Sequence, residues 1–241
     1  MEETNDIAEM GEMLRRLRAT DTTFRIFGSE SHGYSLRPTP SESELAAFES
    51  TNRILLPNDY HRFLAVVCDG LAGPFYGLMP LSVSRQDLSR PFPLTKATNI
   101  LTEEEYERLL PDTPDYPGVL EICHQGCGIY SYLVVNGPAY GTIWDGREDL
   151  YPTGLTFGAW YRRWLELALR TLDNERRLVP RLRLGMKSAE VVAEVGGDWK
   201  TRPSTVDALR YFEADEIPAQ LVLDEREVVE VRPWPFIVAR P

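Results

Sequence analysis

Two short stretches of the sequence place possible nucleophiles or metal ligands next to a histidine. The first is Gly28-Ser-Glu-Ser-His-Gly33, in which Ser31 precedes His32. A serine nucleophile of the elbow type occupies a Gly-x-Ser-x-Gly turn between a strand and a helix, whereas this stretch leads into an extended segment from Tyr34. The spacing therefore predicts a loop packed beside helices, with His32 hydrogen-bonded to the backbone, and no catalytic serine.

The second stretch is Cys123-His-Gln-Gly-Cys127, whose cysteine and histidine side chains are of the types that bind zinc. Structural zinc needs four ligands in two closely spaced pairs. The sequence offers no second pair, and only His61 and Cys68 remain as distant candidates. We therefore predict no metal site and no cofactor. The cysteines are too few, and odd in number, for a disulfide framework, so reduced thiols are expected.

Carboxylates form a third group of reactive side chains, in the stretches that begin at Thr102 and at Asp145. In the loop from Asp145, two or more carboxylates near a pocket would be typical of a hydrolase pair, but no second histidine or metal pattern lies nearby. A solvated surface and an acidic face that docks a basic partner are the alternatives that remain. The candidate partner-binding residues, chosen by charge and predicted loop placement, are Glu103, Glu104, Asp112, Asp115, Asp145, Glu148, Asp149 and Tyr151.

The charge balance and the missing motifs narrow the classes of function. The chain has 37 acidic and 26 basic side chains, a formal net charge of −11. Duplex nucleic acid is bound by Lys and Arg that replace its counterions, so nucleic acid is not an expected partner. An acidic chain instead favours fast association with a basic one. The sequence contains no P-loop, dinucleotide fingerprint, HExxH or complete triad signature, so we do not expect an enzyme.

Hydropathy and the N-terminal segment indicate where the protein acts. No apolar run approaches the ~18 residues that a membrane helix requires. The segment 1–20 is acidic and amphipathic, and it lacks the basic and apolar regions of a secretory signal. Hydrophobic residues make up 43% of the chain, as in a globular protein. We therefore expect a cytoplasmic protein with no membrane contact.

The stretch from Glu44 to Leu81 contains the elements around which the chain is organised. A capping box at Ser41 and Glu44 predicts the start of one helix. Pro57 predicts the start of a second, whose apolar stripe runs from Tyr60 through Val67 and which Gly70 is expected to end. The segment 73–81 is apolar and rich in glycine and proline, and it predicts a short strand after a tight bend.

Three further helices follow from hydrophobic spacing and capping residues. The segment 1–20 has an apolar stripe at helical spacing and predicts an amphipathic helix that docks on the domain or on a partner. Thr102 is a good N-cap for a short helix that ends before Pro111. Thr156 caps the most regular pattern in the chain, a helix to Leu172 with apolar residues at every i, i+3 and i+4 position. We expect the aromatic face of this helix to lie in the hydrophobic core, with the side chain of Trp164 buried.

Alternating or short apolar runs predict the strands of an antiparallel meander. They lie at 119–122, 129–135 and 140–144, with Asn136-Gly137 as a turn signal between the second and the third. A shorter strand is predicted at 24–27.

The composition changes between residues 173 and 183, where Arg and Pro become frequent, and this change predicts a domain boundary. A short strand at 182–184 leads into a helix from Ser188 that Gly196-Gly197 ends. Three strands follow, at 208–212, 220–223 and 228–231. The predicted organisation is thus an N-terminal amphipathic helix (1–20), a larger α+β domain (21–175) and a small α+β C-terminal domain (180–241).

The larger domain resembles the SUKH superfamily, the Smi/Knr cell-wall-assembly regulators and their bacterial relatives. The resemblance covers roughly residues 24–172 and rests on the order and spacing of several motifs. The matching motifs are Phe48-Glu49, Leu56-Pro57, Tyr60, Phe63-Leu64, Gly70, Gly77-Leu78-x-Pro80-Leu81, Cys123-x-x-Gly126-Cys127-Gly128, Leu133-Val134-Val135-Asn136-Gly137, Gly141-x-x-Trp144 and Phe157-x-x-Trp160-x-x-x-Trp164-Leu165.

This resemblance implies an α+β fold in which helices pack on an antiparallel sheet, followed here by the small C-terminal α+β unit. It also implies a function shared by many bacterial relatives, the neutralisation of a cognate toxin by an immunity protein. We interpret the matching motifs as fold-forming. The expected partner is a protein toxin with a basic active surface, covered by the acidic face. The alternative is a non-enzymatic scaffold or regulatory module, and the oligomeric state stays open.

Overall fold

The computed structural model describes residues 2–83, 86–110, 116–203, 210–214, 217–224 and 227–233, and shows a mixed α+β protein with two antiparallel sheets. The helices are α1 (Glu2–Thr20), α2 (Ser29–His32), α3 (Glu42–Asn52), α4 (Asn58–Val66), α5 (Glu103–Leu109), α6 (Phe157–Leu178) and α7 (Ser188–Val195). The first sheet contains β1 (Val119–Gly126), β2 (Ile129–Val134), β3 (Thr142–Gly146) and β4 (Leu150–Thr156). The second sheet contains β5 (Trp199–Pro203), β6 (Arg210–Ala214), β7 (Ile217–Asp224) and β8 (Glu227–Pro233).

The first sheet is a meander in which each strand pairs with its neighbour in sequence, in the order β1-β2-β3-β4. Leu133 of β2 pairs with Leu120 on one side and Ile143 on the other, and all three side chains are buried. This arrangement confirms the predicted antiparallel sheet with packed helices. The sequence predicted three strands, and β4 is a fourth.

Helix α6 packs on one face of this sheet, and α1 and α4 pack on α6 and share its buried cluster. Trp160, Tyr161 and Trp164 of α6 are 0% exposed, and Tyr161 donates a hydrogen bond to the carbonyl of Ala72 at 3.0 Å. The apolar stripe of α1 is buried against the same cluster, which confirms that this helix docks on the domain. Helix α6 also continues to Leu178, beyond the predicted end.

The opposite face of the first sheet carries a second, smaller cluster of buried residues. Trp144 and Tyr132 point into it, and Phe92 packs against Trp144 with 5.1 Å between ring centroids. The segment before the sheet, for which the sequence predicted only the short helix at Thr102, covers this face through Phe92 and Leu94, both 0% exposed. The sheet therefore lies between two layers.

Two predicted strands of the first domain are wrong. Residues 24–27 form no strand, and Ser29–His32 of the predicted loop is a single helical turn. Residues 73–81 contribute only isolated bridges, in which Leu78 pairs with Leu71 and with Cys123. Positive φ angles at Leu71 and Phe75 turn the backbone there, so this apolar segment is buried without forming a ladder.

Helix boundaries near the predicted capping residues are mostly confirmed. Ser41 and Glu44 form the expected capping box of α3, and Pro57 lies immediately before α4. Thr102 and Glu105 form a second capping box, at the start of α5. Helix α4 ends at Val66, so Gly70 follows it after a short link and does not terminate it.

The second sheet has the order β5-β6-β7-β8, and α7 packs on it through Val191, which is 0% exposed. The predicted strand at 182–184 is wrong, because these residues join α6 to α7 without forming a strand, and β5 was not predicted. The other strands and the helix are confirmed where the structure describes them. Leu178, at the end of α6, packs against the cluster of this unit. The predicted domain boundaries stay predictions.

Candidate protein-binding face

The β1–β2 and β3–β4 turns lie at the same end of the first sheet, which we call the hairpin end. Gly126 pairs with Ile129 across the β1–β2 turn, and Gly146 pairs with Leu150 across the β3–β4 turn. Since Tyr130 also pairs with Gly146, the two turns are neighbours. A Cβ at Gly146 would lie 1.8 Å from the carbonyl oxygen of Asp149, so only glycine permits the β3–β4 turn.

A row of polar side chains crosses all four strands beside these turns. Gln125 Nε2 of β1 donates to Ser131 Oγ of β2 at 2.9 Å, and Ser131 Oγ donates to Asp145 Oδ1 of β3 at 2.6 Å. Asp145 pairs with Tyr151 of β4. Ser131 is 0% exposed, so its hydrogen bonds fix one oxygen of the Asp145 carboxylate on a rigid part of the sheet.

A shallow depression of about 520 Å³ opens at this hairpin end of the sheet. Its apolar walls are exposed, because Ile129 retains 40% and Tyr151 retains 42% of their accessible surface. Large exposed apolar side chains beside charged ones are typical of protein-binding surfaces. The residues that line the depression are Cys127, Ile129, Asp145, Gly146, Arg147, Glu148, Asp149 and Tyr151.

Thr98 connects this depression to helix α5. Its buried hydroxyl donates to Asp149 Oδ1 at 3.1 Å and accepts from the backbone N–H of Leu150 at 2.8 Å. Glu103 of α5 is five positions after Thr98, so their Cα atoms lie within roughly 18 Å of each other. The hydrogen bonds of Thr98 therefore tie the β3–β4 turn to the segment that leads into α5.

The carboxylates of α5 differ in how free they are to meet a partner. Glu103 and Glu104 are exposed in its first turn, where the helix dipole favours negative charge. Glu105 instead accepts from the Thr102 backbone N–H and from Lys96 Nζ at 3.0 Å. These contacts, the Thr102 backbone first, lower the pKa of Glu105.

One guanidinium lies among the carboxylates of the depression. Arg147 is exposed, and its Nε lies 3.9 Å from Glu148 Oε1. Tyr116 holds the same turn, because its hydroxyl donates to the carbonyls of Arg147 and Glu148 at 3.1 and 3.0 Å. Burial raises the pKa of Tyr116 to about 12, so the hydroxyl stays a donor. The depression therefore has more carboxylates than guanidinium groups, and Tyr116 fixes the backbone of the turn that carries them.

The structure brings together only part of the face predicted from the sequence. Four of the predicted residues line the depression, and two more lie on the connected turn of α5, while Asp112 and Asp115 lie outside the described residues. The four in the depression are Asp145, Glu148, Asp149 and Tyr151, and the two on α5 are Glu103 and Glu104. Thr98, Ile129 and Ser131 were missed. Strand alternation places Ile129 and Ser131 on one face, but nothing local marks Thr98.

The serine and histidine at 31 and 32 do not form a catalytic pair. Ser31 is exposed, whereas His32 is 6% exposed and accepts from the backbone N–H of Tyr34 through Nδ1 at 3.1 Å. The structure, which describes both residues, contains no hydrogen bond between them. Beside His32 lies a buried group in which Tyr34 donates to Asp21 Oδ2 at 2.6 Å. These contacts serve packing.

The cysteines and histidine of the 123–127 stretch point in different directions. Cys123 is buried and its Sγ donates to the carbonyl of Pro74 at 3.1 Å, while Cys127 is exposed. His124 stacks on Tyr76 with 5.6 Å between ring centroids. Across the part of the chain that the structure describes, no three His, Cys, Asp or Glu side chains are grouped so that they could hold a metal ion.

Within the described residues, none of the helices combines the length and apolar character needed to cross a membrane. No protein-family model, no curated protein and no solved structure matches this chain.

Proposed function

We propose that this chain is a cytoplasmic immunity protein that binds a protein toxin and covers the basic surface with which the toxin acts. The observation that carries the proposal is the depression at the hairpin end of the first sheet. Asp145, Glu148 and Asp149 line it together with exposed Tyr151. The resemblance to the SUKH superfamily supports the same function.

Charge and shape would have separate effects in such a complex. The exposed carboxylates of Glu104 and Glu148 would steer a basic partner and raise the association rate, an effect that salt weakens. Tyr151 and Ile129 would lose their exposed surface on binding and slow dissociation, since buried aromatic side chains commonly carry the binding energy of an interface. Asp145 needs little reordering, because Ser131 already holds it.

The test is rescue of cells that produce the effector encoded by the gene immediately upstream of the gene for this chain. Co-expression of the full chain is expected to restore growth, and the two purified proteins are expected to form a stoichiometric complex. If the chain neither rescues nor binds that effector, the proposal loses its main support.

Charge reversal locates the surface that binds. The double variant Glu104→Lys/Glu148→Lys changes two exposed residues on the two connected parts of the face, and it is expected to slow association roughly tenfold or more at low salt. The matched control Glu30→Lys/Asp173→Lys changes the net charge equally at exposed residues elsewhere. Equal losses in both variants would mean that net charge acts, and the assignment of this face would be wrong.

A further inference from the structure

Two aspartates that line the depression are each held by a buried hydroxyl group. Ser131 is 0% exposed and donates to Asp145 Oδ1 at 2.6 Å. Thr98 is 4% exposed and donates to Asp149 Oδ1 at 3.1 Å. Asp145 lies in β3, and Asp149 lies in the turn that joins β3 to β4. Both carboxylates are therefore oriented before a partner arrives, which lowers the cost of ordering them in a complex.

An exposed aromatic ring lies beside these carboxylates. Tyr151 is the cross-strand neighbour of Asp145, so their Cβ atoms lie roughly 5 Å apart on one face of the sheet. Tyr151 retains 42% of its accessible surface, and Ile129, which lines the same depression, retains 40%. A cation that pairs with Asp145 can therefore lie over the Tyr151 ring, while its hydrocarbon stem covers Ile129.

The depression already accommodates one guanidinium group, which belongs to this chain. A Cβ built at Gly128 would lie 3.4 Å from Cδ and Nε of Arg147 and 3.6 Å from its Cζ, so the Arg147 side chain lies along the β1–β2 turn. Its Nε lies 3.9 Å from Glu148 Oε1. Three carboxylates, those of Asp145, Glu148 and Asp149, thus face one guanidinium group in the depression. The charge that would complement the depression is positive.

The shape of the depression favours arginine over lysine as the source of that charge. The ammonium group of lysine is compact and strongly hydrated, so a shallow and open site offers it little beyond charge. The guanidinium group of arginine is planar and more weakly hydrated, and its five donors form a fixed fork. It can stack on an aromatic ring and bind carboxylates along its edges at the same time.

We propose that the depression is a binding site for one arginine side chain of the partner, whose guanidinium group lies on the Tyr151 ring and pairs with Asp145 and Asp149. This inference rests on the proposed function, because it names the group on the toxin's basic surface that the face recognises. The consequence is specificity. A partner that presents lysine at this point keeps the attraction between charges but loses the stacking and the forked hydrogen bonds.

The test uses two short peptides and no toxin, acetyl-Gly-Arg-Gly-amide and acetyl-Gly-Lys-Gly-amide. Each peptide is titrated into the ¹⁵N-labelled full chain at low salt, and the backbone amide shifts are followed by NMR. We expect saturable shifts at Ile129, Asp145 and Tyr151, and a dissociation constant for the arginine peptide that is roughly threefold lower or more. Equal affinities, or shifts that are not concentrated at the depression, would overturn the proposal.

Variants of Tyr151 separate stacking from charge. Tyr151→Leu keeps an apolar side chain and the net charge, and it is expected to give the two peptides equal affinity. Tyr151→Phe keeps the ring and is expected to retain the preference for arginine. The matched control Tyr140→Leu changes a tyrosine of similar exposure, 47%, outside the residues that line the depression. It is expected to change neither affinity, and a preference that survives Tyr151→Leu would contradict the stacking.

The peptide experiment and the rescue experiment can fail independently. If the chain rescues cells but binds both peptides equally, toxin binding stands and the arginine site is wrong. If the arginine peptide binds at the depression but the chain neither rescues cells nor binds the effector, the arginine site stands and the toxin is excluded as its partner.

Discussion

Asp59 and Gly158 are 99 residues apart in sequence, and the Asp59 carboxylate accepts a hydrogen bond from the Gly158 backbone N–H at 2.8 Å. The same carboxylate accepts from the N–H of Tyr60 at 2.9 Å through its other oxygen. One side chain in the first turn of α4 therefore satisfies an N-terminal donor of α6. The two helices are joined at the point where both begin.

Replacement of Asp59 tests this shared cap. Asp59→Ala removes the acceptor and is expected to lower the free energy of unfolding by about 1–2 kcal/mol, the usual effect of losing an N-cap. Asp59→Asn keeps an acceptor oxygen and loses only the charge beside the helix dipole, so its loss is expected to be smaller. Urea denaturation measures both, and equal stability of the wild type and Asp59→Ala would show that the bond contributes nothing.

Trp164 tests the position of α6 in the core. Its side chain is 0% exposed and packs against Tyr161 with 5.2 Å between ring centroids. Trp164→Ala is expected to lower the free energy of unfolding by about 3–5 kcal/mol, because it leaves a large cavity. Arg163→Ala, at the exposed neighbour, is expected to stay within about 0.5 kcal/mol of the wild type. Calorimetry that found the two variants equally stable would contradict this packing.

Thr98 tests the link between the acidic hairpin and the segment before α5. Thr98→Val keeps the shape but removes the hydroxyl, which leaves the buried N–H of Leu150 without its acceptor. The expected loss is about 1–3 kcal/mol, the effect of an unsatisfied buried donor. In a double-mutant cycle with Asp149→Ala, the two losses are expected to be less than additive. Strict additivity would mean that the 3.1 Å bond between these side chains has no energetic effect.

His32 tests the response of the fold to acid. Burial is the largest influence on this imidazole and lowers its pKa from 6.5 to about 4. The unfolded chain therefore binds the proton more readily than the folded one, and stability present at neutral pH is lost as pH falls from about 6.5 toward 4. The expected loss from this residue is about 3 kcal/mol.

Chemical denaturation across this pH range measures the effect of His32. His32→Gln cannot titrate, so its stability is expected to fall less steeply with pH than that of the wild type. His61→Gln, which replaces a partly exposed histidine, serves as the matched control and is expected to follow the wild type. If the curves of wild type and His32→Gln ran parallel, the protonation of His32 would not be coupled to folding.

The success of the sequence-based predictions depended on how local each signal was. Helix α6 was predicted because its own spacing places every buried aromatic on one face. Strand β4 was missed because Pro152 and Gly154 interrupt it; both are tolerated there, since β4 is an edge strand of its sheet. The segment 73–81 was predicted as a strand from its composition, although positive φ angles prevent a ladder.

In the candidate site, too, the features with a local signal were predicted and those that depend on distant contacts were not. Charge and turn signals were enough to select Asp145, Glu148 and Asp149, because a turn and its flanking strands are adjacent in sequence. The connection of this turn to α5 depends on a hydrogen bond between Thr98 and Asp149, which are 51 residues apart. No local pattern identifies such a partner, so the sequence grouped the two parts into one face by charge and predicted loop placement alone.

Because α1 packs on α6, α1 cannot complete its packing until α6 has been synthesised. Arg162 of α6 binds the Asp6 carboxylate of α1, a contact across 156 residues of sequence. At ordinary rates of translation α1 emerges on the order of 10 s before α6. During that interval the buried residues Met10, Leu14 and Leu17 lack one of the two helices against which α1 packs, so part of their apolar surface stays exposed until α6 has been made.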